Sequence, residues 1–285
     1  MTPAIQWYPG HIAKAEKALL DQLKRVDVVL EVRDARIPLA TRHPRMASWI
    51  GDKGHVLVLN RVDMVSADNR AAWETWLRQQ GEAPYYANAQ QGKGVAAVSK
   101  AAQAAGAAVN ERRCNRGMRP RPVRAVVIGF PNVGKSALIN RLVKRKVVES
   151  ARKAGVTRQL RWIRISDELE LLDAPGILPA QLQDQGAALK LAICDDIGEA
   201  SYDNQLIAAA MVDLFCQLDG PQTGDYCQAL GDRYGLVPES TGELYLHQMA
   251  ATRYQGNVER MARTLLNDYR IGNLGSLPLE WPATE

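Results

Sequence analysis

Gly129-Phe130-Pro131-Asn132-Val133-Gly134-Lys135-Ser136 decides how this chain is read. The apolar run Arg124-Ala125-Val126-Val127-Ile128 leads into it, and Ala137-Leu138-Ile139-Asn140-Arg141-Leu142, with helical character, leaves it. Strand, glycine-rich loop and helix in succession are the context in which this motif cradles phosphate. The glycines let the N–H groups of Asn132, Val133, Gly134, Lys135, Ser136 and Ala137 wrap an anion, and the helix N-terminus adds a favourable dipole. Lys135 is expected to reach β- and γ-phosphates, and the Ser136 hydroxyl to ligate Mg²⁺. With no nucleotide bound, both side chains are expected to face solvent.

Working outward, the apolar run Leu169 to Leu172 ends in Asp173-Ala174-Pro175-Gly176. An Asp at a strand end suits a carboxylate behind Mg²⁺, and Gly176 suits an N–H donor to the γ-phosphate. Asp-x-x-Gly alone is usually a turn; after a phosphate loop it becomes informative. Between the two, Ala154-Gly155-Val156-Thr157-Arg158 offers Thr157 as a switch residue that closes on Mg²⁺. Upstream, Val56-Leu57-Val58-Leu59 ends in Asn60-Arg61-Val62-Asp63. The Asp63 carboxylate can accept from N1–H and the 2-amino group of guanine, a donor pair that adenine lacks. Asn60 braces the loop, and Arg61 stands where Lys is usual, stacking in its place. The turn Ala87-Asn88-Ala89 follows a further strand-like run, and an N–H near Ala89 is placed to meet the guanine O6.

Base-reading elements therefore precede the phosphate loop, the reverse of an ordinary small GTPase. Joining old termini and cutting a loop preserves such a site, because loop tips tolerate permutation. In this order the chain resembles the circularly permuted GTPases, and within them the ribosome biogenesis GTPase A (YlqF-type) family. Trp7-Tyr8-Pro9-Gly10-His11-Ile12 is similar to that family's N-terminal signature, as are Asp34-Ala35-Arg36-Ile37-Pro38 and Tyr269-Arg270-Ile271-Gly272-Asn273-Leu274-Gly275. The resemblance implies a circularly permuted P-loop GTPase domain of the α/β class over residues 1–177. A small helical C-terminal domain follows over 178–285. It also implies a cytoplasmic, Mg²⁺-dependent GTP hydrolase, a monomer that times maturation of the large ribosomal subunit on precursor rRNA and ribosomal proteins. Ile177 occupies the place where many GTPases carry a water-orienting Gln, so the resemblance assigns that task to His11. It also suggests that Asn132 holds a K⁺ ion beside the β- and γ-phosphates. From the residues alone a signalling or transport switch acting on protein partners stays open, while Asp63 argues against an ATP-using enzyme.

Composition adds a division that the net charge of +5 hides. Residues 1–179 carry 30 Lys and Arg against 16 Asp and Glu, whereas residues 180–285 carry 6 against 15. Arg112, Arg113, Arg116, Arg119, Arg121 and Arg124 crowd a stretch that reads as a linker, and Lys144 to Arg158 surround the expected switch. Such bunching suits a phosphate backbone. The acidic C-terminal part can meet RNA only through a local face around Arg253, Arg260, Arg263 and Arg270, or can meet a basic protein instead. Cys114, Cys194, Cys216 and Cys227 show neither metal spacing nor a disulfide framework, and are expected to be reduced thiols. No run of 18 apolar residues spans a membrane. Periodicity predicts helices over 12–25, 67–80, 94–110, 187–193, 205–218 and 258–267, alternating in the first half with strands of a mostly parallel sheet.

Overall fold

In the computed structural model the described residues are 12–144, 160–174, 176, 178–179, 182, 184–198, 201–220 and 225–283. They form two compact units. The first takes the described parts of Pro9–Val62 and Glu74–Ala180; the second takes Asp63–Trp73 and the described part of Gln181–Glu285.

The first unit is built on a six-stranded sheet. Its strands are β1 (Val28–Asp34), β2 (Gly54–Asn60), β3 (Pro84–Ala87), β4 (Val123–Ile128), β5 (Arg161–Arg164) and β6 (Leu169–Asp173). Their order is β3-β2-β1-β4-β6-β5, with all neighbours parallel except β5 with β6. The chain thus steps outward from β1 to β3, returns to the centre at β4, crosses to the far edge at β5 and turns back to fill the gap with β6. The reversal falls between β1 and β4, the kind of switch point at which open α/β sheets bind ligands beyond their strand ends. Strands buried on both faces need continuous apolar runs, and Val28-Val29-Leu30, Val56 to Leu59 and Val126 to Ile128 supply them, all buried. β1 also buries Glu31 and Arg33 on one face. Arg33 Nε donates to Glu31 at 2.6 Å and His55 lies 3.0 Å from the same carboxylate. Burial alone would raise Glu31, but these partners hold it down at about 2.

Helices α1 (Ile12–Leu23), α2 (Met46–Ile50), α4 (Val95–Asn115) and α5 (Lys135–Val143) belong to this unit, and α3 (Ala67–Gln79) runs from the second unit into it. Leu19, Leu23, Met46 and Trp49 pack with Val126, Ile128 and Leu172 in one core cluster. α4 runs five residues further than periodicity predicts, so Arg112 and Arg113 form its last turn rather than a linker. Basic side chains are favourable there, beside the unpaired carbonyls of a helix end.

The second unit contains α6 (Gln185–Ile193), α7 (Asn204–Leu218), α8 (Tyr226–Tyr234), α9 (Gly242–Tyr254) and α10 (Val258–Ile271). Asp184, Asp203, Thr241 and Asn257 cap four of these helices by accepting from backbone N–H groups of the first turn. Buried Asp268 collects Arg233 at 2.8 Å, Tyr234 at 2.9 Å and Asn273 at 2.9 Å. The terminal segment is tied down by Asn69 and Trp73, which donate to the Glu280 carbonyl. Trp73 is thus a core residue. Among the described residues no helix is long and apolar enough to cross a membrane.

Candidate functional site

The sheet register lines up the expected site. Asp34, Asn60 and Ala87 are successive partners at the ends of β1, β2 and β3, and Asp173 faces Val127 near the end of β4. The phosphate loop therefore leaves β4 with the strand ends expected to read guanine on one side and Asp173 on the other.

Asn60 is the brace. Its Nδ2 donates to the Val133 carbonyl at 2.8 Å, and its Oδ1 accepts from the Ala89 N–H at 3.0 Å. One amide joins the β2 end, the phosphate loop and the turn after β3. Gly134 sits at φ +100°, and a Cβ there would strike the same Asn60 amide. The Ala89 N–H is thereby bonded within the protein. Asn88 folds that turn by accepting from the Gln91 N–H at 2.9 Å, and its buried Nδ2 has no partner. Asp63 lies in the 3-10 turn Val62–Met64 and opens the Asp63–Trp73 segment of the second unit, with an exposed side chain.

Arg61 takes a left-handed backbone, φ +64°, and lays its guanidinium across the loop. Nη2 donates to the Asn132 carbonyl at 2.6 Å, while Nε lies 3.5 Å from Asp34. Arg36 grips the same carboxylate with two bonds, at 3.0 and 2.7 Å. Burial would raise Asp34, but Arg36 and Arg61 outweigh it and hold the carboxyl below its usual range. Sequence reasoning noted Asp34-Ala35-Arg36 as a motif and gave it no task; the structure makes it the anchor of Arg61. Arg141 of α5 went unnoticed altogether. It donates to the carbonyls of Ala89 and Gln90, and only the fold brings these together.

On the phosphate side, Lys135 does not face solvent. It is buried, and Nζ donates to the carbonyls of Gly129 at 3.2 Å and Phe130 at 2.7 Å. An ammonium without phosphate still needs acceptors, and the loop's own carbonyls provide them. Ser136 is half-buried. Asp173 is buried with Oδ1 unpartnered, and burial lifts its carboxyl to about 6 against the opposing pull of Lys135. A buried carboxylate oxygen without a donor suits a cation held partly by phosphate, as Mg²⁺ commonly is. A Cβ on Gly176 would come within 2.7 Å of the Pro131 backbone, so only glycine lies this close to the loop. Nearby, His43 stacks on Trp49 at 4.2 Å, and burial beside Arg45 lowers it to about 4. His11 and Thr157 lie outside the described residues, as does most of the basic stretch around Thr157.

The arginine patch divides. Arg121 is bidentate to Asp27, at 2.7 and 2.9 Å, and Arg124 pairs with Glu170 and covers Trp162. Those two are structural, and Arg113 donates to the Arg119 carbonyl. Arg112, Arg116 and Arg119 remain exposed. In the second unit Arg270 donates to the Ile193 and Ala192 carbonyls at the end of α6, and Arg253 to the Tyr234 carbonyl. Both were expected on an RNA-facing surface; helix packing claims Arg270, whereas Arg253 is exposed despite its bond. Arg260 and Arg263 stay exposed.

Residues 124–216 match the family described as 50S ribosome-binding GTPase. The chain is 33% identical to a ribosome biogenesis GTPase A from Bacillus cereus, over 98% of this chain and 94% of that one. It is 31% identical to the protein of that name from Bacillus pumilus, over 98% and 99%. Among solved structures, a GNP-bound YlqF from T. maritima is similar in fold, with a TM-score of 0.65. It is 23% identical and aligns over 94% of this chain and 98% of that one.

Proposed function

The chain belongs to the ribosome biogenesis GTPase A family, and from that premise we propose that this GTP hydrolase is a timing switch in maturation of the large ribosomal subunit. The observation that carries the reading is the Asn60 amide, which ties the guanine-reading strand end to the phosphate loop and to the turn after β3 in one step.

GTP is the substrate, and Mg²⁺ works with it in this family. On this reading Asp63 reads the guanine, Asn60, Asn88 and Ala89 hold the base loops, and Arg61 lies along the base. The N–H groups from Asn132 to Ala137 receive the phosphates. Lys135 exchanges its two carbonyl partners for phosphate oxygens. Ser136 and Thr157 would ligate Mg²⁺, with Asp173 behind them, and the ion would supply neutralising charge at the phosphate oxygens. Gly176 brings its N–H to the γ-phosphate. His11 orients the attacking water, because Ile177 has no polar group, and the Asn132 amide supplies a ligand for K⁺. The GTPase domain covers 1–177 and the helical domain 178–285.

The protein acts in the cytoplasm as a monomer and docks in its GTP state on precursor rRNA and ribosomal proteins, through Arg112, Arg116 and Arg119 among other contacts. Relatives named for ribosome biogenesis, and a mitochondrial ribosome-associated GTPase of Xenopus tropicalis, support ribosomal partners over a purely protein-directed switch. Co-sedimentation with large-subunit precursors tests the proposal. Association should need a non-hydrolysable GTP analogue rather than GDP and weaken steeply with salt. Neutralising the three exposed arginines should reduce the salt slope by about one per lost phosphate contact. Equal association with GDP would refute the switch. His11→Ala should keep GTP affinity yet lose particle-stimulated turnover, and turnover should be faster in K⁺ than in Na⁺. Full stimulation of that variant would remove His11 from the mechanism, and equal rates in the two salts would remove K⁺.

A further inference from the structure

Cys216 and Cys227 are 11 residues apart in the chain, on different helices of the second unit, and their sulfurs lie 3.0 Å apart. Cys216 is in the last turn of α7 and exposed; Cys227 is in the first turn of α8 and buried. Nothing in their sequence spacing marks them as a pair. Two contacts fix their approach. Phe215, next to Cys216, meets Tyr226, next to Cys227, edge to face at 5.3 Å. Asp219, just past the end of α7, accepts from the Tyr226 N–H at 2.7 Å. The helix ends are therefore held together by groups other than the sulfurs, and the thiols meet without ordering the chain anew.

We propose that Cys216 and Cys227 form a reversible intrachain disulfide, a redox modification site for small hydroperoxides. An exposed sulfur that an oxidant can reach, touching a buried sulfur that it cannot, is the arrangement of an attacked and a resolving thiol. In the first step the Cys216 thiolate attacks a hydroperoxide. A sulfur–oxygen bond forms, the peroxide bond breaks, and the departing oxygen takes up a proton and leaves as alcohol or water. In the second step Cys227 attacks the Cys216 sulfur. The disulfide forms, the sulfur–oxygen bond breaks, and the hydroxyl leaves as water with the Cys227 proton. The balance is two thiols and one hydroperoxide to one disulfide, one alcohol and one water, with two electrons passing from sulfur to oxygen. Burial, the neighbouring thiol and Asp219 push the Cys227 thiol up to about 12, so it stays protonated until Cys216 has been oxidised. Asp219, which accepts from the neighbouring Tyr226 N–H, supplies a carboxylate beside the pair. A small dithiol reverses the bond by exchange. The inference does not depend on the GTPase reading.

The test uses the full-length reduced protein, treated with hydrogen peroxide, alkylated after unfolding and mapped by peptide mass spectrometry. The expected result is one linked pair, Cys216 with Cys227, formed in parallel with loss of both thiols and undone by dithiothreitol. The bond should also raise the unfolding temperature by a few degrees, because it constrains the unfolded chain. Cys227→Ser should leave Cys216 to proceed to the sulfinic acid. Cys216→Ser, a change at an exposed position, should leave Cys227 fully alkylatable. Recovery of both thiols free, sulfinic acid at Cys216 in the unmodified chain, or a link from Cys216 to Cys114 would each overturn the proposal.

Discussion

Two buried aspartates close two parallel strands of one sheet, and they are treated in opposite ways. Asp34, at the end of β1, is surrounded by Arg36 and Arg61 and held below the usual carboxylate range. Asp173, at the end of β6, keeps an oxygen with no donor and is raised to about 6. Burial acts on both, so the partners make the difference. A carboxylate completed within the protein is a structural anchor. One left incomplete at the mouth of a phosphate loop is half of a binding site, and the ligand supplies the rest.

The largest effect should come from breaking the completed side. Asp34→Asn leaves Arg36, fully buried, beside a neutral group and should destabilise the protein by about 3–5 kcal/mol in urea unfolding at neutral pH. In the parent chain the contribution of Asp34 is present above the ordinary carboxylate pKa and lost as pH falls through the lowered one. A loss under about 1 kcal/mol would mean that the cluster is not an anchor.

On the incomplete side, Lys135→Ala should cut GTP turnover by roughly 10²–10³-fold, with little change in unfolding temperature. Lys135 donates to two backbone carbonyls that water can satisfy once it is gone. A proportional loss of stability and turnover would move Lys135 to the structural class, beside Asp34.

Asp63 offers a third environment, exposed rather than buried. Asp63→Asn should weaken GTP binding by about 1.5–3 kcal/mol per hydrogen bond lost and turn preference toward xanthosine triphosphate. Calorimetric titration with both nucleotides decides this; unchanged GTP affinity would separate Asp63 from guanine reading.

The two sides were unequally legible in the sequence. The strands read well because fully buried parallel strands are continuous apolar runs, and Gly129 to Ser136 is a local pattern whose spacing is its chemistry. Asp173 and Asn60 followed because each ends such a run. The anchor was hidden. Asp34 ends β1 and Arg61 follows the end of β2, and what joins them is the register of β1 with β2, which no local window contains. Arg141 was invisible for the same reason. Charge counts misled where arginines are held by protein acceptors: Arg121 and Arg270 read as surface and are partly buried. Three helices were missed: α2 spans only five residues, too few to show a period. α8 carries Gly231 inside a nine-residue span, and α9 opens on Gly242 and exposes Leu244, which blurs its apolar stripe.

The contrast between the two aspartates is tested most directly by the unfolding free energy of the ligand-free protein from pH 4 to pH 8, beside Asp173→Asn. A raised carboxyl contributes stability that is fully present below its ordinary pKa and lost as pH rises through its folded one. The parent should therefore lose about 2–3 kcal/mol as pH rises through about 6. The Asn variant should lack that loss, exceed the parent in stability at pH 7.5, and fail in Mg²⁺-dependent GTP hydrolysis. Matching pH profiles in the two proteins, or an Asn variant less stable than its parent at pH 7.5, would contradict the account: Asp173 would then be as complete as Asp34.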